Sequence, residues 1–199
     1  MKRLFVGTFL AEEDRERIRE ARISLEPVLQ EKWKCRLRWV RPEKLHMTWL
    51  FLGDCDAEQE KTIANRLDEI TKVNTLGAEA SVIDFDRFDF FPSKSKRSCT
   101  ALLPSNVPDD FSAVARTLRR SLHEFCEKKE SQELRPHLTI FRFERTDRRK
   151  YTFPEELDAS VITPVKLDVS SLALICSHLG SSKDDYEVLR SYRFNEQIE

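Results

Sequence analysis

Two short stretches of this chain carry the same chemistry-bearing unit. His46-Met47-Thr48-Trp49 and His137-Leu138-Thr139-Ile140 each run histidine, apolar residue, threonine, apolar residue. With four histidines in 199 residues, two such pairs arise by chance in about 2 percent of shuffled chains, which makes coincidence the poorer account. Both units sit in apolar, β-branched runs preceded by a turn-forming proline (Pro42, Pro136), the signature of strands. On a strand, positions i and i+2 share a face. Each run therefore presents an imidazole beside a hydroxyl on one side, with Met47, Trp49 and Phe51, or Leu138 and Ile140, on the other.

Histidine titrates near pH 6.5, so at neutral pH one ring can be a cation that gives a proton while a second is neutral and takes one. Hydrolytic displacement at phosphorus needs both, a base on the attacking water and an acid on the leaving oxygen, each worth roughly 10²- to 10⁴-fold. Threonine hydroxyls can donate to the non-bridging phosphoryl oxygens as their charge changes. His123 and His178 lack this context and read as ordinary surface or core rings. A zinc centre is not expected, because a catalytic zinc wants three protein ligands and a structural one four, and no third donor stands at ligand spacing beside either pair.

The elements that must hold the pairs follow from periodicity. Residues 4–10 form a first strand, not a signal segment, since the apolar run meets Glu12-Glu13-Asp14 where a small-residue cleavage site would stand. Residues 12–30 form a helix carrying Ile18, Ala21, Leu25, Val28 and Leu29 inward, with Pro27 kinking or restarting it. In residues 33–40 Lys34, Arg36 and Arg38 alternate with Cys35, Leu37 and Trp39, a strand with a basic face. The first His-x-Thr strand ends at Gly53. Asp56 and Gln59 make a capping box for a helix with Ile63, Leu67, Ile70 and Val73 on one face. Residues 78–91 read as a bulged strand, 92–98 as a basic turn and 99–103 as a short strand. Asp109 or Asp110 caps a third helix through Phe111, Val114, Leu118, Leu122 and Phe125. After the second His-x-Thr strand come a charged loop at 145–150 and two strands, 165–176 and 186–194, joined as a hairpin through Gly180 and Ser181.

Each half thus runs strand, helix, His-x-Thr strand. The expectation is one domain spanning residues 1–199. Two similar lobes packed about an approximate twofold would bring the paired motifs together across a cleft.

Composition narrows the rest. With 34 basic against 35 acidic residues, net charge predicts no class of partner. Five scattered cysteines without C-x-x-C fit a reduced, cytoplasmic chain better than a disulfide framework. Four glycines supply neither a P-loop nor a dinucleotide fingerprint. No run of about twenty apolar residues is present, so no membrane partner is expected. No obligate protein partner is indicated.

The two motifs resemble the twin H-x-T-x signatures of the two-histidine (2H) phosphoesterase superfamily, in particular its RNA 2',3'-cyclic phosphodiesterase, or 2'-5' RNA ligase-like, branch. Arg3-Leu4-Phe5-Val6, Phe51-Leu52-Gly53, Pro136, Arg142, Ser177, Tyr186 and Leu189 extend the likeness over nearly the whole chain. The resemblance implies a bilobal α+β fold, each lobe an antiparallel sheet with helices on its outer face and the active-site cleft between them. It also implies cofactor-free, metal-independent opening of a terminal 2',3'-cyclic phosphate to a 2'-phosphomonoester, in some members with the reverse 2'-5' joining. By analogy His46 is the proton donor, His137 the proton acceptor, and Thr48 and Thr139 bind the substrate phosphate. The expected partners are RNA ends or nucleotides bearing a 2',3'-cyclic phosphate. A phosphodiesterase for a small cyclic nucleotide or a 2'-5' oligonucleotide is the rival enzyme, and a non-catalytic RNA-binding module the rival outside enzymes. Thr100, where the branch carries a large apolar residue, and the charged loop at 144–157 depart from the pattern. Arg142 lies at odd offset from His137 and on a regular strand would face away from the cleft. Basic residues Lys32, Lys34, Arg36, Arg38, Arg41 and Lys44, interleaved with Trp33 and Trp39, form either an RNA-contacting strip or a solvated strand edge. Lys94, Lys96 and Arg97 are candidates for a phosphate rim.

Overall fold

In the computed structural model the described residues are 1–33, 37–73, 82–91, 99–126, 134–143, 164–178 and 185–194. Strands β1 (Lys2–Phe9), β2 (Leu37–Trp39), β3 (His46–Cys55), β4 (Val82–Phe91), β5 (Cys99–Pro104), β6 (Leu138–Phe143), β7 (Val165–Asp168), β8 (Ser171–Ser177) and β9 (Tyr186–Arg193) alternate with helices α1 (Glu12–Trp33), α2 (Ala57–Val73) and α3 (Asp109–Leu122). Among the described residues all nine strands join one sheet in the order β7-β4-β5-β6-β3-β1-β8-β9, with β2 on the free edge of β6. Every pairing is antiparallel.

The sheet has a seam. β3 and β6, the two His-x-Thr strands, meet through one residue pair, Met47 with Leu138, whereas each is paired over most of its length on its other side. Outward from the seam the halves have matching order, β3-β1-β8-β9 against β6-β5-β4-β7, so the α+β, two-lobed expectation holds. The lobes are not the two halves of the chain. The stretch expected as one strand over residues 165–176 is two: β7 closes the lobe of the second motif, and after Val169 and Ser170 the chain crosses to place β8 and β9 beside β1. Periodicity cannot reveal such a crossover, because both pieces are apolar strands.

The helices cover one face. α2 carries Ile63, Leu67 and Ile70 into the core and α3 carries Phe111, Val114, Leu118 and Leu122, where they meet Leu4, Val6, Met47, Trp49, Leu138 and Ile140. Burying a Leu- or Phe-sized side chain is worth about 1.5–3 kcal/mol, so this layer fixes which face of each strand turns inward. The capping box is present: the Asp56 backbone N–H donates to Gln59 Oε1 at 2.9 Å and the Gln59 N–H to Asp56 Oδ1 at 2.8 Å.

Other expectations shift. α1 continues past Pro27 to Trp33, and Val28 and Val73, expected inward, are 57% and 79% exposed. Pro108 occupies the N-cap of α3 without a side-chain cap, and Asp109 and Asp110 sit in its first turn, where they face the positive end of the helix dipole. Phe125 falls in a 3-10 turn beyond α3. Residues 34–36, 78–81, 92–98 and 144–157, Gly180 and Ser181 lie outside the described residues, as do the side chains of Lys32 and Trp33.

Candidate active site

The seam builds the site. Met47 and Leu138 are both fully buried on the helix-covered face, so their neighbours His46, Thr48, His137 and Thr139 turn to the opposite, open face. Antiparallel pairing through that one bridge sets His46 toward Thr139 and Thr48 toward His137. The two units interlock diagonally.

Each ring is anchored alike. His46 Nδ1 lies 2.7 Å from the Lys44 carbonyl oxygen and His137 Nδ1 lies 2.9 Å from that of Arg135, in both cases two residues back along the chain. A carbonyl only accepts, so Nδ1 carries the hydrogen and Nε2 is left for chemistry. At His46, Nε2 lies 3.1 Å from Thr48 Oγ1, and in the neutral ring the hydroxyl donates that bond.

Aromatic walls hold both rings. Phe5 and Tyr186 stand 5.0 and 5.2 Å from the His46 ring, Tyr186 edge-on, with Phe9 at 6.0 Å. His137 stacks on Phe91 at 3.8 Å, and the Arg135 guanidinium lies 5.5 Å from the same ring. Burial lowers both imidazole pKa values, to about 4 for His46, where the charges of His137 and Arg142 add to the effect. At His137 the further lowering comes from Arg142 and Arg135. Without ligand both rings are therefore neutral at pH 7.

Arg142 corrects the sequence reading. β6 has a register shift between Thr139, paired with Ala101, and Phe141, paired with Thr100, which leaves Ile140 extra. Ile140 and Phe141 are consecutively buried, and Arg142 returns, exposed, to the histidine face. A bulge inverts the parity of everything after it. β3 has the same device: its register jumps from Thr48 to Leu50 against β1, Trp49 and Leu50 are both buried, and Phe51 comes back to the open face at 58% exposure. Five residues after its histidine, each motif thus presents a second group to the cleft, an aromatic ring in one and a guanidinium in the other. Phe91, which stacks on His137, also escaped the sequence reading.

The basic strip is only partly at the site. Arg38 lies directly across from Arg142 in the β2–β6 pairing, hence on the same face. Lys44 stands 5.0 Å over the Tyr186 ring, and it and Arg41 pair with Asp185 at 3.8 and 3.2 Å. Thr100 is fully buried beside Phe141 with an unpaired hydroxyl, so it lines the core and not the cleft.

Comparison with known proteins agrees with this architecture. Residues 10–180 match the family model described as the 2'-5' RNA ligase superfamily. An RNA 2',3'-cyclic phosphodiesterase of Aquifex aeolicus is 28% identical over 157 residues, 78% of this chain and 80% of the relative. The fold is similar to TT0787 of Thermus thermophilus, with a TM-score of 0.72 at 21% identity over 98% of this chain and 100% of that one. It is also similar to E. coli LigT, solved without ligand and with 3'-AMP, with TM-scores of 0.66 and 0.67 at 21% identity over 98% of both chains.

Proposed function

This chain belongs to the 2'-5' RNA ligase superfamily of two-histidine phosphoesterases, and from that premise we propose that it hydrolyses the terminal 2',3'-cyclic phosphate of RNA to a 2'-phosphomonoester. The observation that carries the reading is the diagonal interlock of His46-Thr48 with His137-Thr139 across the Met47–Leu138 bridge, each ring offering Nε2 because its Nδ1 is committed to a backbone carbonyl.

In the proposed reaction a water attacks phosphorus as His137 Nε2 takes its proton. The P–O3' bond breaks, and O3' leaves with a proton from His46 Nε2. Charge gathering on the non-bridging oxygens is met by the hydroxyls of Thr48 and Thr139 and by Arg142. After turnover the protons have exchanged places, so the pair resets through solvent. His46 must be protonated to play this part, and its lowered pKa works against that in the empty cleft. A bound phosphoryl anion works the other way, because a negative charge beside the ring favours the imidazolium and offsets Arg142.

Support for RNA over a mononucleotide comes from Arg38. Like charges directly opposite on neighbouring strands destabilise a sheet, yet Arg38 and Arg142 are both exposed, and neither has an acidic partner among the described residues. A second phosphate, one nucleotide upstream of the cyclic end, would complete that pair. The exposed Phe51 ring on the same face would serve a base as a stacking surface.

The test is incubation in EDTA with an RNA oligonucleotide ending in 2',3'-cyclic phosphate and, separately, with 2',3'-cyclic AMP. Phosphorus NMR of the product identifies the position of the phosphate. A 2'-phosphate, with the oligonucleotide turned over faster, is expected. No turnover, or turnover that persists in both His46→Ala and His137→Ala, overturns the reading. Equal kcat/KM for the two substrates removes the role of Arg38 and leaves the small cyclic nucleotide as substrate.

A further inference from the structure

On the opposite face of the sheet the hairpin of β8 and β9 brings together three side chains that the histidine chemistry does not use. Cys176 pairs directly with Glu187 across the hairpin, so their side chains share a face, and His178, two residues beyond Cys176, follows on the same side. The adjoining pair, Ser177 and Tyr186, faces the cleft. The ligand atoms of Cys176, His178 and Glu187 lie within 4.8 Å of one another, and His178 Nε2 is 2.9 Å from Glu187 Oε2. In a tetrahedral zinc site, bond lengths of 2.0–2.3 Å place neighbouring donors about 3.5 Å apart. Small rotations about χ angles close the difference without moving the backbone.

The geometry points to a binding site for a divalent ion of the zinc class, held by Cys176 Sγ, a His178 ring nitrogen and a Glu187 carboxylate oxygen, with water as fourth ligand. The donor set selects the ion. A thiolate with an imidazole favours Zn²⁺ over Mg²⁺ or Ca²⁺, which want oxygen alone. Cys176 is 1% exposed, while the His178 and Glu187 side chains are 41% and 56% exposed, so the ion enters from solvent and meets the sulfur at the base. Binding releases the thiol proton, so affinity rises with pH. The ion would staple β8 to β9 where Tyr186 and Asp185 leave the hairpin to contact His46, Lys44 and Arg41 on the other face.

Cobalt tests this, because a cysteine thiolate bound to Co²⁺ gives a charge-transfer band that histidine and carboxylate do not. The metal-stripped full chain carrying His46→Ala and His137→Ala, which removes the cleft histidines as competing ligands, is titrated with Co²⁺. The expected result is a thiolate band saturating at one ion per chain and discharged by Zn²⁺. Cys176→Ser abolishes it, and His178→Ala weakens binding by at least the roughly tenfold that loss of even an outer partner costs. His178 and Glu187 are surface residues, so His178→Ala and Glu187→Gln decide the matter should Cys176→Ser not fold. Absence of the band in the double variant, or a band of unchanged affinity in both His178→Ala and Glu187→Gln, overturns the site.

Discussion

At the scale of single residues, the two imidazoles are alike in anchoring and unlike in setting. Both are held neutral in the empty cleft, His46 down at about 4. If His46 is the acid, free enzyme with the productive protonation becomes scarcer as pH rises above the histidine pKa values. The kcat/KM profile should therefore peak below pH 6.5, and the kcat profile, which reports the complex, should lie to its alkaline side. Histidine Cε1–H shifts recorded with and without inorganic phosphate should show the His46 pKa rising on binding. Donor and acceptor can be told apart with a substrate whose 3'-oxygen is replaced by sulfur, since a thiolate leaves without a proton. This substrate should restore activity to His46→Ala and not to His137→Ala, and the reverse result would exchange the roles. Arg142→Ala should lower kcat/KM by about 10²-fold or more and raise the pKa of both rings with the urea midpoint unchanged, the last reading being needed because misfolding would itself raise both by exposing them.

At the scale of elements, the two bulges do the positioning. Without the extra residues at Trp49 and Ile140, Phe51 and Arg142 would point into the helix layer and the cleft would lose both a ring and a charge. The Trp49 bulge is held from the core side: Trp49 Nε1 donates to Thr8 Oγ1 at 2.9 Å, and that hydroxyl donates to the Ser171 carbonyl at 2.7 Å. Trp49→Phe should cost about 1–3 kcal/mol in urea denaturation, from the hydrogen bond to Thr8 that is lost and the space left beside Phe111. It should also lower kcat, because β1, β3 and β8 are tied together at that point. Asp56→Ala, which opens the capping box at the far end of β3, should cost about 1 kcal/mol and leave KM unchanged.

At the scale of the whole molecule, folding and protonation are linked. An unfolded histidine titrates near 6.5, and His46 does so at about 4 when folded. The unfolded state therefore takes up its proton first as pH falls. Stability contributed by the neutral ring is complete above pH 6.5 and is lost as pH drops toward 4. Denaturation midpoints should fall through that window, and less steeply in His46→Gln. Charge acts at the same scale. If Arg38 and Arg142 each neutralise an RNA phosphate, log kcat/KM for the oligonucleotide should fall with log salt, by about 0.7 per contact on a single strand. Replacing Arg38 with Ala should remove about one contact's worth of that slope and leave 2',3'-cyclic AMP turnover nearly untouched.

Local chemistry was legible without a fold. Residue type and a spacing of two placed His46 with Thr48 and His137 with Thr139, because a strand repeats every two residues whatever surrounds it, and helical spacing named Ile63, Leu67, Phe111 and Leu118 as core. What tertiary structure alone decided is everything that depends on which strands are neighbours. A bulge is defined by a partner strand that is one residue shorter, so nothing within Thr139-Ile140-Phe141-Arg142 announces that Arg142 turns back to the cleft. The same holds for Phe91 against His137 and for β8 crossing to lie beside β1. Each is a pairing across long stretches of sequence, chosen by which apolar faces the three helices could cover together.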